Sequence, residues 1–384
     1  MRNRYKRTVD FIREQYRCKD GSIPLHAPVF QGNEKKYLNE CIDSTFVSSV
    51  GIFVDRFEQM VADFTGADYA IATVNGTAAL HVALLLAGVK NDDEVLTQAV
   101  TFIATANAIR YCGADPVFLD SDANNLGLSH EALELFLLEN GDLRDDGFTY
   151  NKTTGKRIRA CVCMHVFGHP VKIEELESVC KKYNISLVED AAEGLGSYYK
   201  GRSVGTFGDL GILSFNGNKT ITTGGGGMIL TNNERLARKA KHLTTTAKVP
   251  HQWEFVHDSI GFNYRLPNIN AALGCAQMEK LPAYLENKRE LAENYKAFFR
   301  AESVNFVSEP DGCISNYWLN AILLSDRGER DDFLKYANER EVMTRPLWRL
   351  MPGLEIYKKF QHDKNENALQ IENCLVNIPS GVRV

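Results

Sequence analysis

The feature that most constrains the fold of this 384-residue chain is a regular alternation of apolar strand segments and helices, from about residue 55 to residue 192. DRFEQMVADFTG reads as an amphipathic helix closed by Gly66, and DYAIATVNG as a strand ending at Asn75-Gly76, with the helix TAALHVALLLAG starting at once after it. Next come strand EVLTQAV and helix FIATANAIRYCG with Gly113 as its stop, then strand DPVFLD and helix SHEALELFLLEN with Ser129 as N-cap. Strand IRACVCMHVFG, helix KIEELESVCKKY and strand ISLVEDAA complete the series. Alternation in units of this length predicts a parallel sheet covered by helices on both faces. Such sheets bind ligands outside the carboxyl ends of their strands.

The texture changes after about residue 205. GDLGILSFNG and GGGGMILTNN read as short strands joined by glycine-rich turns, and ERLARKAKHL as a helix. A loop-rich stretch follows, then a long helical run from about Ile269 to Ala301. ILLSD, a helix near DDFLKYANER and the tail CLVNIPSGVRV form a separate α+β lobe. The expected organisation is an N-terminal helical extension (1–22), a large α/β domain (23–250), and a connecting helix with a small C-terminal α+β domain (251–384). With 44 Lys+Arg against 49 Asp+Glu the chain is slightly acidic, which argues against nucleic-acid binding by a basic surface. The longest apolar run, 79–89, holds about eleven residues against the roughly 20 of a membrane span, so no membrane partner is expected. The nine cysteines are scattered and odd in number, no secretory signal is present, and Cys161 and Cys163 follow strand alternation rather than a metal or redox spacing. They read as reduced thiols of a cytoplasmic protein, with no metal site expected.

Three elements could carry chemistry. Lys219 lies in SFNGNKTITTGGGGM, between Ser214 and the run Gly224 to Gly227. Alone it is an ordinary loop lysine. In a tight, desolvated pocket such an amine becomes a Schiff-base nucleophile. Asp190 ends the apolar strand ISLVEDAA, where a carboxylate is placed for a ligand or for capping a helix, and Glu189 beside it should point the opposite way. Asn75-Gly76-Thr77 is a strand-to-helix turn whose exposed amides and helix dipole suit a phosphate. Together these gain specificity. Pyridoxal phosphate needs a phosphate cup, an acid for its ring nitrogen, a lysine, and a flat partner for its ring. The chain supplies them in the order phosphate turn, Phe102, Asp190, Ser214, Lys219.

That order, with the blocks IPLHAPVFQGNE, STFVSSVGIFVDRFE, NGTAALHVAL, TFIATANAI, VEDAAEGLGS, SFNGNKTITTGGGGM and GFNYRLPNINAALG, resembles the DegT/DnrJ/EryC1/StrS sugar aminotransferases over roughly residues 22–380. The resemblance implies the three-layer αβα architecture of the aspartate aminotransferase fold type I, with pyridoxal 5'-phosphate as cofactor. It implies that Lys219 is the Schiff-base lysine and later the proton carrier, and that Asp190 partners the ring nitrogen. Phe102 matches the stacking aromatic, and Gly76, Thr77 and Ser214 match the phosphate cup. Glu193 matches the Gln or Glu near the phenolic oxygen. Asn263, supported by Arg265, matches an asparagine reaching the phosphate of the neighbouring subunit, so a homodimer with shared active sites is implied.

One departure is Gly225, where many members carry an acidic residue. The all-glycine form marks a subgroup acting on N-acetylated 6-deoxy-4-keto sugars. Relatives with His in place of the lysine are sugar dehydratases, and the lysine here favours transamination. The N-terminal extension and STFVSSVGIFVDRFE are most similar to aminotransferases of legionaminic acid or bacillosamine pathways. The expected reaction moves an amino group from L-glutamate to C4 of a UDP- or GDP-linked 4-keto-6-deoxy-N-acetylhexosamine, for surface glycans. The alternatives are a 3-keto sugar aminotransferase, a desulfurase, and a non-catalytic regulator of the same fold. A desulfurase needs an exposed reactive cysteine, and none of the nine stands out as one. His165, Trp318, Arg345 and Trp348 are each open to a substrate role or to simple packing.

Overall fold

The computed structural model describes residues 2–384. Helices α1 (Arg2–Gln15), α2 (Glu34–Ser44) and α3 (Ile52–Thr65) lead into the alternating region, and α3 stops where Gly66 takes up a left-handed φ of 73°. There follow β1 (Tyr69–Thr73), α4 (Gly76–Leu86), β2 (Glu94–Gln98), α5 (Ile103–Tyr111), β3 (Asp115–Leu119) and α6 (His130–Asn140). A hairpin of β4 (Gly141–Leu143) and β5 (Thr149–Asn151) leads to β6 (Arg157–Met164), α7 (Ile173–Lys182), β7 (Ser186–Asp190), β8 (Leu210–Ser214), β9 (Gly227–Thr231) and α8 (Glu234–Thr244). Ser129 caps α6 by accepting the Ala132 amide at 3.1 Å.

The main sheet has the order β1-β9-β8-β7-β6-β2-β3, with the β4–β5 hairpin attached through β5 to β6. The run β8-β7-β6-β2-β3 is parallel throughout. β9 is antiparallel to both its neighbours, β8 and β1. The sheet is mostly parallel, as the resemblance implies, and its antiparallel strand has a clear cause. Residues 215–226, between β8 and β9, contain no helix, so the chain turns back beside β8 instead of crossing over.

Successive residues of the strands face opposite layers. Val95, Val162, Ile212 and Ile229 pack on α4, α5 and α8, while Leu96, Cys161, Leu213 and Leu230 pack on α3, α6, α7 and the start of α9 (Asn268–Ala301). This is the three-layer αβα arrangement. The far end of α9 enters a second core, where Leu291, Tyr295 and Phe299 meet Tyr5, Val9 and Ile12 of α1. That core also holds an antiparallel sheet in the order β10 (Asn305–Phe306), β11 (Asn320–Leu323), β13 (Leu375–Ile378), β12 (Arg345–Pro346), with α10 (Arg327–Asn338) and α11 (Glu366–Cys374) alongside. Among the described residues no helix is long and apolar enough to cross a membrane.

Candidate functional site

The carboxyl ends of β6, β7 and β8 and the turn after β1 open on one cavity of about 270 Å³. Its lining includes Gly76, Thr77, Phe102, Asp190, Glu193, Ser214 and Lys219, residues spread over 143 positions of sequence. The parallel strands end at one edge, which is why they meet.

The turn after β1 is built by Asn75, whose side chain caps α4 by accepting the Ala78 amide at 2.8 Å. The amides of Gly76 and Thr77 begin α4 and have no intrahelical acceptor. A side chain at Gly76 would place its Cβ 2.9 Å from the Ser214 Cβ, and one at Gly227 would lie 2.4 Å from the Asn75 carbonyl. Of the glycines in the 224–227 run, only Gly224 has a left-handed φ, at +80°. Gly227 serves instead to let β9 pass directly behind the turn. The result is a small concavity of amides and one hydroxyl at a helix start, the chemistry of an anion site.

Asp190 is buried at the tip of β7. One carboxylate oxygen accepts from the Thr105 hydroxyl at 2.7 Å and the other from the Ala192 amide at 3.2 Å. Burial raises its pKa above the usual aspartate value despite those bonds and the Lys219 charge. Glu189 points to the other side, as strand geometry requires. Its oxygens accept from the amides of Gly205, Phe207 and Gly208 and meet His165 at 3.1 Å. Burial pushes Glu189 up, but His165 and the amides outweigh it and the net shift is downward. His165 therefore belongs to a buried hydrogen-bond network, with Nε2 at Glu189 and Nδ1 accepting the Val171 amide at 3.3 Å, and does not line the cavity.

The Lys219 Nζ donates to Glu193 at 3.1 Å and lies 4.0 Å from the centre of the Trp318 indole. The second Glu193 oxygen accepts the Phe167 amide at 2.8 Å. Burial pushes the Glu193 carboxyl up to about 7, against the pull of the lysine. Phe102 stands at the start of α5, 48% exposed, with its ring 5.8 Å from that of Trp348. Asn263 is exposed and outside the cavity of its own chain, where its side-chain oxygen accepts from Arg265 at 2.9 Å and 3.1 Å. Arg345 is also exposed and bonds to Asn338.

Sequence reasoning left two walls of this cavity unassigned. Trp318 and Trp348 line it from the C-terminal part of the chain, and Met164, Asn216 and Asn218 complete it. Trp318 is fixed by its indole N–H, which donates to the Asn218 carbonyl at 2.6 Å, and by its amide, which donates to Asn316 at 2.7 Å. No local pattern marks these residues, and Trp318 meets Asn218 across 100 positions of sequence.

The family model described as the DegT/DnrJ/EryC1/StrS aminotransferase family matches residues 28–384. The chain is 37% identical over 358 residues to a GDP-perosamine synthase of Escherichia coli O157:H7, covering 93% of each. It is 39% identical over 328 residues to the putative pyridoxal phosphate-dependent aminotransferase EpsN of Bacillus subtilis (strain 168), covering 85% of this chain and 81% of that one. Its fold is similar to that of the aminotransferase TlmJ from Streptoalloteichus hindustanus, with a TM-score of 0.84 and 25% identity over 94% of both chains.

Proposed function

Since this chain belongs to the DegT/DnrJ/EryC1/StrS aminotransferase family and is a pyridoxal-phosphate-dependent sugar aminotransferase, we propose that it moves an amino group from L-glutamate to C4 of a nucleotide-linked 4-keto-6-deoxy-N-acetylhexosamine. The observation that carries this reading is the convergence of Lys219, Asp190, Phe102, Ser214 and the Gly76–Thr77 amides on one cavity. Relatives named GDP-perosamine synthase support a GDP-linked sugar and amination at C4. UDP is the alternative nucleotide. The N-acetyl and 6-deoxy groups rest on the sequence blocks that resemble enzymes of legionaminic acid and bacillosamine pathways, and the aromatic walls Phe102, Trp318 and Trp348 suit a methyl-bearing ring face.

The cavity residues fit the cofactor. Gly76, whose missing Cβ leaves the space beside Ser214, fits a phosphate cup. Asp190, a buried carboxylate whose pKa burial raises and whose oxygens accept from the neutral Thr105 hydroxyl and Ala192 amide, fits a ring N–H. When bound, pyridoxal phosphate supplies an electron sink and a carrier for the amino group. Asp190 would hold the ring nitrogen protonated, Phe102 would support the ring, and Glu193 would serve its phenolic oxygen. Lys219 anchors the cofactor through its Nζ. Once free, that Nζ would carry a proton between the substrate carbon and C4′ of the cofactor. One lysine serves both half-reactions, so the kinetics are ping-pong.

Asn263, exposed on its own chain and held by Arg265, reaches the phosphate of a second copy in a homodimer. Eight buried thiols and one partly exposed, all unpaired, suit the reducing cytoplasm.

The test is a panel of UDP- and GDP-linked 4-keto and 3-keto sugars incubated with L-glutamate and read by mass spectrometry. Exchange of the keto oxygen for an amino group on an N-acetylated 4-keto member is expected. Turnover of 3-keto members alone would overturn the assignment. Lys219→Ala should lose both the cofactor absorption band and turnover, and retention of both would refute the role of Lys219.

A further inference from the structure

Lys219 takes part in the reaction in two conditions, bonded to the cofactor and free. When its ammonium and the cofactor aldehyde join, a protonated C=N bond forms and one water leaves. When substrate displaces the lysine, its nitrogen is again a free amine that must be held within reach and out of the way. The geometry points to Trp318 as that holding place, a positioning residue that receives the released Lys219 amine on its indole face between half-reactions. This inference rests on the reading of Lys219 as the cofactor-bearing lysine.

The Lys219 Nζ sits 4.0 Å from the centre of the indole while donating to Glu193 at 3.1 Å. A cation over an indole face gains from the ring quadrupole, and the gain grows as water is removed. Here the lysine side chain is 14% exposed and that of Glu193 1%. A holding place is useful only if it stays put, and Trp318 is fixed at three points. Its indole N–H donates to the Asn218 carbonyl, next to Lys219 in sequence, at 2.6 Å. Its amide donates to the Asn316 side-chain oxygen at 2.7 Å, and the Asn316 side-chain nitrogen donates to the Glu193 carbonyl at 2.7 Å. Its own carbonyl accepts from Lys288 at 3.2 Å. The indole, the Glu193 main chain and the loop that carries Lys219 are thus one hydrogen-bonded unit. Rings 5.2–6.3 Å apart, Phe167 with both Trp318 and Trp348, back it from behind.

The dock stabilises only the released lysine, as its ammonium. It should therefore favour the amine form of the cofactor, pyridoxamine phosphate, which leaves the lysine free, over the aldehyde form, which consumes it. The experiment measures dissociation constants of both forms for the full chain stripped of cofactor. Trp318→Leu should weaken pyridoxamine phosphate relative to pyridoxal phosphate by about 2- to 30-fold, the range a cation–aromatic contact supports. Trp318→Phe, which keeps an aromatic face and most of the packing, should recover much of that ratio. Glu193→Gln, which removes the other side of the dock, should shift the ratio the same way. In a Lys219→Ala background the Trp318 change should leave the ratio untouched.

An equal loss for both cofactor forms means plain packing and overturns the inference. So does a ratio shift that persists without Lys219, which would mean that Trp318 touches the cofactor amine itself. Borohydride reduction of the wild-type holoenzyme followed by peptide mapping tests the premise separately. Cofactor trapped on any residue other than Lys219 overturns the site reading, and the dock with it.

Discussion

Replacing Lys288 by methionine should change how the stability of this enzyme depends on pH. Lys288 lies on α9 with no exposed surface, and its ammonium donates to two main-chain carbonyls, Ser380 at 2.5 Å and Trp318 at 3.2 Å. Neither partner carries a charge. Burial therefore lowers the ammonium from 10.5 to about 7. The folded value lies below the unfolded one, so between pH 7 and 10.5 the unfolded chain holds more protons at this site. Stability from this residue is full at high pH and is lost as pH falls toward 7. Between pH 7 and pH 9 the change is about 2 kcal/mol, and at pH 7 the residual cost of the buried charge is about 4 kcal/mol.

Methionine keeps the length of the side chain but strands the two carbonyls, at about 1–3 kcal/mol each. The two effects offset at pH 7, so wild type and Lys288→Met should unfold within about 2 kcal/mol of each other there. At pH 9 the balance should move by about 2 kcal/mol in favour of wild type. His26, the neighbouring imidazole, is held well below its ordinary pKa, by burial first and then by the charges of Lys288 and Lys219, so it is neutral throughout this window. The buried thiols titrate alike in both proteins and cancel in the difference. Urea unfolding followed by far-UV circular dichroism at the two pH values measures it. Parallel pH curves for the two proteins would show that the amine is not desolvated and would refute the reasoning.

Three further outcomes are expected. Gly76→Ala places a Cβ 2.9 Å from the Ser214 Cβ, so cofactor titration should show affinity weaker by about tenfold or more, the equivalent of roughly 1–3 kcal/mol of overpacking, and an unchanged constant would count against the cup. Asn75→Ala removes the cap on the Ala78 amide and should cost about 1 kcal/mol in thermal unfolding. Glu193 has a folded pKa near 7, above its ordinary 4.5, so it favours the folded state at low pH and loses that contribution as pH rises to 7. Glu193→Gln should flatten that part of the pH–stability curve, and a slope unchanged from wild type would show that another group produces it.

The period of the apolar residues was enough to place the alternating helices and strands, because the strands are buried on both faces, but not the partly exposed β4–β5 hairpin. Two helices escaped. α2 buries only Glu34, Tyr37 and Cys41, and α11 only Ala368, Ile371 and Cys374, so neither shows enough apolar repeats to be told from a loop. Strand direction at β9 was also hidden. It depends on the helix-free return through residues 215–226, not on the strand's own pattern.

The site divides along the same line. Lys219, Asp190, Phe102, Ser214 and the Gly76–Thr77 turn were visible because their residue types and order match what the cofactor needs, and each lies at a strand end or turn. Trp318 and Trp348 carry no such local mark. They reach the cavity because they pack with Ala106, Met164 and Phe167 in an apolar cluster at the carboxyl edge of the sheet. Sequence by itself determined the layered fold, through the spacing of apolar residues, and singled out the candidate groups of the site, through their chemistry. Tertiary structure decided what surrounds those groups: the indole over the lysine, the carboxyl of Glu193 raised to about 7, and the buried amine of Lys288 lowered to about 7. Protonation in a protein interior follows desolvation and nearby charge, and both come from residues distant in the chain.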